Sequence, residues 1–295
     1  MKFNILKALI PAVAVFAVTG CSDWTTPEPK EFDKPLTEIT KDDAYYEALR
    51  AYKKSDHSVA FGWYSEWGEG GAATTNMLQA VPDSMDIISL WNNAHLTPTK
   101  KADLDFVTQV KGTKVLICSF IAEIGCFYSP AEYQTVQERK EYWGWKDGDS
   151  EAIHNFIIKW TKTIADSLNV YGFSGIDIDY EPGEYGGSLC RNSQYYTWFV
   201  EEMGKYIGPQ SGTDKIFIVD GYYTSQPNAA KLAKYFDYFV NQAYRNNGSG
   251  LQGRLESTIR AFSSEMSEEE ITKKFIVTEN LESAMDCLNG GYAWF

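Results

Sequence analysis

Along this chain, short apolar runs rich in β-branched and aromatic residues alternate with stretches whose apolar residues return at helical spacing. The runs at 58–64, 85–91, 114–121, 215–222, 238–244 and 274–279 read as strands, with a central one across 171–183. Between them, 74–80, a stretch around 104–110, 151–170, 195–207, 229–235, 255–262 and 267–272 read as helices, and 42–54 as a polar helix ahead of them. The clearest is 151–170, where Ile153, Phe156, Ile157, Trp160, Ile164 and Leu168 form one apolar stripe. Strands that alternate with helices predict a parallel α/β architecture.

Seven strands are legible in this way, and 291–295 is a candidate eighth. Eight βα units close into a (β/α)8 TIM barrel whose functional face lies at the C-terminal ends of the strands. Only 281–289 separates the seventh strand from the candidate eighth, too little for a full helical crossover. The last βα unit is therefore expected to be shortened or incomplete.

The central strand carries the candidate chemistry. Asp177, Asp179 and Glu181 fall at i, i+2 and i+4, so their side chains share one face. Acids crowded on the inner face of a strand repel one another and lose hydration, and at least one should hold its proton near neutral pH. A neutral carboxylic acid beside ionised ones is a starting state for general-acid chemistry. The other reading of the triplet is a strand end whose acids project into water or bind a cation. Further polar and aromatic groups close the other strands: Trp63 and Glu66, Trp91 and Asn92, Ser119 and Glu123, Gln242 and Tyr244, Glu279 and Asn280.

Composition narrows the partners. A formal net charge of −13 leaves no basic stripe for a nucleic acid, whereas a neutral sugar is compatible with it. Nine Trp and nineteen Tyr supply flat faces suited to stacking on sugar rings, although most are expected in the core. His57, His95 and His154 are too far apart for a metal pattern, no phosphate-binding glycine loop follows a strand, and no cofactor is expected. Cys118 reads as a small core residue; disulfides among Cys118, Cys126, Cys190 and Cys287 are permitted in an exported chain, with no pairing deducible.

The first 21 residues read as a targeting segment: Lys2 and Lys7, an apolar run over 8–18, then small residues at Val18-Thr19-Gly20-Cys21. Those four resemble a bacterial lipobox, which implies lipidation of Cys21 and a membrane anchor in the cell envelope, outer-membrane-bound and periplasmic or surface-exposed. An ordinary secretory signal is the alternative. Residues 22–35 carry three prolines and read as a flexible tether. The expected organisation is a leader over 1–21, a tether and polar segment over 22–54, and a barrel domain over 55–295.

Ser174-Gly175-Ile176-Asp177-Ile178-Asp179-Tyr180-Glu181 resembles the signature of family 18 glycoside hydrolases, the family of chitinases and endo-β-N-acetylglucosaminidases. One position departs: Ser174 stands where the family usually has an Asp that supports the next one by a hydrogen bond. The resemblance implies that Glu181 is the general acid, that Asp179 holds the substrate acetamido N–H, and that Asp177 shares a proton with Asp179. It further implies that Gln242 and Tyr244 fix the acetamido carbonyl, that Ser119 is the third-strand serine, and that Trp294, in Gly290-Gly291-Tyr292-Ala293-Trp294, floors a sugar subsite. Trp63, Trp91, Glu279 and Asn280 join them as candidate substrate contacts.

The expected activity is hydrolysis of a β-1,4 linkage next to N-acetylglucosamine by substrate-assisted catalysis, with a glycan or glycoprotein as partner. The Gln-x-Tyr pair favours an endo-β-N-acetylglucosaminidase on N-glycans. A chitinase, and a glycan-binding lipoprotein that keeps the barrel without turnover, are the alternatives, since a barrel alone implies no activity.

Overall fold

The stripe at 151–170 becomes the helix Ser150–Tyr171 in a computed structural model that describes residues 41–69, 76–91, 96–121, 124–125, 128–183, 188–246 and 248–281. Its ends follow from local chemistry. The Asp149 carboxylate accepts the Ala152 N–H at the start, and Gly172 takes the left-handed conformation that stops it, with φ of 85°. The six stripe residues, together with Thr161 and Ala165, form its buried face.

Among the described residues, seven parallel strands lie in one sheet in chain order: β1 (Phe61–Tyr64), β2 (Ile87–Leu90), β3 (Lys114–Ser119), β4 (Gly175–Tyr180), β5 (Ile216–Gly221), β6 (Tyr238–Gln242) and β7 (Phe275–Thr278). The helices are α1 (Asp43–Lys53), α2 (Pro98–Asp105), α3 (Val136–Trp143), α4 (Ser150–Tyr171), α5 (Ser188–Arg191), α6 (Ser193–Met203), α7 (Ala229–Leu232), α8 (Gly248–Phe262) and α9 (Glu268–Lys274). Among the described residues β1 and β7 approach each other without a ladder, so the barrel they form is nearly closed with one unsealed seam. The candidate eighth strand at 291–295 lies outside the described residues.

Alternation along the strands sorts the core into two layers. Ile87, Leu116, Ile218, Val240 and Ile276 pack inside the barrel with Phe61, Trp63, Ile216 and Tyr238 against them. Val115, Ile117, Ile176, Ile178, Phe217, Val219 and Phe239 point outward into the larger layer shared with the helices. The inner layer is apolar up to the middle of the barrel and turns acidic above it.

Several elements differ from the sequence pattern. Helix 74–80 reduces to a 3-10 turn at Leu78–Ala80 among the described residues, because Asp103 accepts the backbone N–H groups of Leu78 and Gln79 and fixes that turn instead. The helix expected at 104–110 is the end of α2 continued as a π-turn, Phe106–Val110. α3 has no apolar stripe to reveal it, yet its start is written as a reciprocal capping box between Thr135 and Glu138.

The chain divides into two units, Met1–Asp43 and Ala44–Phe295, so the barrel unit includes most of α1. That helix is fastened by charge: Arg50 Nη1 donates to Val110 O at 2.6 Å, and Lys53 Nζ donates to Met85 O at 2.6 Å. Lys215 Nζ likewise donates to Phe173 O, and Lys274 Nζ to Phe236 O, which satisfies carbonyls just before the starts of β4 and β6. Among the described residues no helix is long and apolar enough to cross a membrane.

Gly175 opens β4 where the strand runs against β5. A Cβ there would lie 1.9 Å from Ile216 O, and its φ of 156° is unfavourable for an L side chain. Gly175→Ala is expected to disrupt the β4–β5 ladder and lower stability by about 3 kcal/mol or more, read as a drop in the urea midpoint.

Candidate active site

β4 delivers its two aspartates to the barrel axis because Ile176, Ile178 and Tyr180 are fixed in the outer layer. Asp177 is fully buried and Asp179 is 3% exposed. Glu181 follows on the turn beyond the strand and is half-buried. Asp177 is well served on one oxygen: its Oδ2 accepts the Trp63 indole N–H at 3.0 Å and the Ser89 hydroxyl at 2.7 Å.

A fourth acid joins from β5. Asp220 is fully buried, lies level with Asp179 in the β4–β5 register, and accepts the Gln242 amide N–H at 2.7 Å on Oδ1. It is in hydrogen-bonding contact with both Asp177 and Asp179. Cys118 from β3 completes the floor, buried and free.

Burial dominates the electrostatics. It pushes the Asp179 carboxyl up to about 7, helped by the charges of Glu181 and Asp177 and opposed by the Asp220 hydrogen bond. Asp177 is raised by burial, with the bonds from Ser89, Asp220 and Trp63 pulling the other way. Asp220 is held well above the usual carboxylate range by burial and then by its two neighbours, and burial raises the Cys118 thiol likewise. Cys118, Asp177 and Asp220 offer atoms within 4.8 Å of one another, the spacing of a cation site. Hydrogen-bond donors, however, already serve Asp177 Oδ2 and Asp220 Oδ1, and the raised carboxyls fit protons rather than a metal.

Beside the acids, at the seam, lies a cleft of about 400 Å³ lined by Phe61, Gly62, Trp63, Ser65, Trp91, Tyr244 and residues 277–281. Five residues chosen from strand ends therefore share one cleft: Trp63, Trp91, Tyr244, Glu279 and Asn280. Trp63 joins the two halves, with its ring in the cleft and its N–H on Asp177. A larger cavity of about 630 Å³ sits at the opposite end of the barrel, among Arg50, Lys53, His57, Asp86, Lys114 and Lys215. Several of its cations are engaged with backbone carbonyls, and the acid cluster is not part of its lining, so we assign the site to the C-terminal mouth.

Individual residues depart from expectation. The serine on the acid cluster is Ser89 of β2, whereas Ser119 falls in the outward phase of β3 with Val115 and Ile117, the inward residue beside it being Cys118. Gln242 is tied to Asp220, and Glu279 accepts the backbone N–H of Arg245 at 2.9 Å and of Asn280 at 2.7 Å, which holds the turn after β6 to the end of β7. Ser174 sits at the base of β4, where its hydroxyl accepts the Val115 N–H at 3.1 Å. Asp220 and Ser89 were the residues that motif spacing missed; inward parity on strands 215–222 and 85–91 was the signal that could have found them. Cys21, Asn92, Glu123, Cys126, Cys287 and Trp294 lie outside the described residues.

A family model described as glycoside hydrolase family 18, BT1044-like, matches residues 25–294. Endo-β-N-acetylglucosaminidase F2 of Elizabethkingia meningoseptica is 28% identical over 211 residues, covering 69% of this chain and 56% of that protein, so the chain spans little more than half of that relative's length. A solved structure of BT1044 in selenomethionine form, with a Glu-to-Gln substitution, is 25% identical with a TM-score of 0.69, over 86% of this chain and 74% of the other. An apo endo-β-N-acetylglucosaminidase from Cordyceps militaris shares the fold at 23% identity and a TM-score of 0.58, over 81% and 72% of the two chains.

The raised Asp179 carboxyl has a consequence for stability. The folded chain keeps a proton that the unfolded chain releases near pH 4, so this stabilisation is intact at low pH and is lost as pH rises through about 7. Asp179→Asn is neutral at every pH. It is expected to match the native protein near pH 4 and to exceed it at pH 8 by on the order of 3 kcal/mol, measured by urea unfolding at both.

Proposed function

The chain belongs to glycoside hydrolase family 18, of the BT1044-like kind, and from that premise we propose that it is an endo-β-N-acetylglucosaminidase that cleaves the β-1,4 linkage next to N-acetylglucosamine in N-glycans. The observation that carries this reading is the buried Asp177–Asp179–Asp220 cluster leading up β4 to Glu181 at the mouth, next to the aromatic cleft of Trp63, Trp91 and Tyr244. The relative from Elizabethkingia meningoseptica bears the name of that activity, and we carry it to this chain as part of the proposal.

The chemistry follows the substrate-assisted route of the family. Glu181, as the carboxylic acid, gives its proton to the glycosidic oxygen as the bond to the anomeric carbon breaks. The acetamido oxygen of the same sugar attacks that carbon and forms a cyclic oxazolinium intermediate. Asp179, ionised, accepts the acetamido N–H and offsets the positive charge that develops there. Water then adds to the anomeric carbon, Glu181 takes its proton, and the acetamido group is restored with the original anomeric configuration.

Trp63 offers the sugar its ring face, since its N–H is engaged with Asp177. We assign Tyr244, 38% exposed in the cleft, to the acetamido group, with Gln242 two residues before it at the end of β6. Glu279 and Asn280 line the far wall. We place Ser119 and Trp294 outside this account of the mechanism. We further propose a lipid anchor at Cys21 in the bacterial cell envelope, a reading that rests on the lipobox-like leader.

Incubating residues 22–295 with a high-mannose glycoprotein should release glycan and leave a single N-acetylglucosamine on Asn, seen as residual protein mass. Glu181→Gln should lower turnover by about 10² to 10⁴ while sugar binding, measured by calorimetry, persists. Saturable binding with no release from high-mannose or complex-type glycoproteins or chitin oligomers would sink the enzymatic reading in favour of a glycan-binding protein.

A further inference from the structure

Resting on the catalytic reading above, we propose that Asp220 is a positioning residue of the site: a neutral acid whose Oδ2–H donates to the Asp177–Asp179 pair and holds one of the two as an ionised acceptor. Three buried oxygens define the case. Among the described residues, none donates a hydrogen bond to Asp177 Oδ1, Asp179 Oδ1 or Asp220 Oδ2. Each belongs to a carboxyl in contact with the others, and buried acceptors facing one another are costly unless donors stand between them. The missing donors are the carboxyl protons themselves.

Geometry decides where a proton resides. Asp177 Oδ2 already accepts two donors, from Trp63 and Ser89, so Asp177 is equipped to carry charge. Asp220 accepts one donor, Gln242 Nε2, and that bond fixes Oδ1 as its accepting oxygen. The proton is thereby placed on Oδ2, the orphaned atom. Among the described residues, the titratable groups that face Asp220 are Asp177 and Asp179 from β4 and Cys118 from β3, with Glu181 beyond Asp179. All of these are acids, and the β6 neighbour is the neutral Gln242. Its burial among acids keeps Asp220 uncharged, in line with its raised carboxyl.

The arrangement also accounts for Ser174. Its hydroxyl is engaged at the base of β4 with Val115, three residues before Asp177. Lateral support for the acids comes instead from the neighbouring strand, where Asp220 is level with Asp179.

Infrared difference spectra of the substrate-free protein against Asp220→Asn at pH 7 test the protonation directly. The native protein should show the carbonyl stretch of a neutral carboxylic acid that the variant lacks; carboxylate bands alone would overturn the proposal, and this reading needs no turnover. A failed glycosidase assay therefore leaves it standing. With active enzyme, Asp220→Val removes the donor, and the acid limb of the kcat/KM profile should move up by roughly one pH unit, with about a tenfold loss at pH 6. Asp220→Asn keeps an N–H donor at that position and should recover most of the loss. A Val variant with the native limb, or an Asn variant as impaired as Val while both melt cooperatively, would count against the assignment.

Discussion

Several carboxylates must share a barrel interior that water does not reach, and much of the molecule is arranged around that constraint. An isolated buried carboxylate would cost many kcal/mol, and such groups persist by keeping protons or gaining donors. Both solutions are present here. Trp63 and Ser89 bring donors to Asp177 from β1 and β2, Gln242 brings one to Asp220 from β6, and Asp177 Oδ1, Asp179 Oδ1 and Asp220 Oδ2 are buried with no donor among the other described residues. Five strands thus meet at one small group of acids.

Such convergence needs a rigid frame below it. The inner layer supplies this with Ile87, Leu116, Ile218, Val240 and Ile276, while the outer layer fixes the alternate residues of each strand so that the acids have no freedom to turn outward. Gly175 belongs to the same frame, because any side chain there would collide with Ile216 O and part the two strands that carry Asp179 and Asp220. At the other end of β5, Gly221 with its φ of 72° turns the backbone level with Tyr180, where a Cβ would lie 2.8 Å from Tyr180 O and 3.0 Å from Asp179 Oδ1.

Much of this was legible in the sequence, for reasons that can be named. The α4 stripe and the alternating strands report burial, which is what hydrophobic periodicity measures, so order and type of these elements survive. Asp177, Asp179 and Glu181 were visible because one strand carries them all. Ser89 and Asp220 were not, since each is a single polar residue on its own strand and becomes meaningful only when the register sets it beside Asp177 or Asp179. Ser119 illustrates the converse: its place at a strand end suggested the site, but parity turns it outward. The turn at Leu78–Ala80 is fixed by Asp103, a tertiary contact that local propensity does not contain.

Trp63 shows why the cleft and the acids cannot be treated as separate parts. Its ring forms a wall of the cleft, and its N–H is one of the two donors on Asp177 Oδ2. Removing the indole takes away a stacking surface and, in the same step, a bond that stabilises negative charge on Asp177. A more basic Asp177 would compete for the proton that Asp220 supplies, and Asp179 would be left with a different share of it. Under the proposed function, a tighter or looser grip on a sugar ring at Trp63 is therefore coupled to charge one strand layer deeper. The effect of a Trp63 substitution on binding and its effect on pH dependence must be measured together, because one side chain carries both.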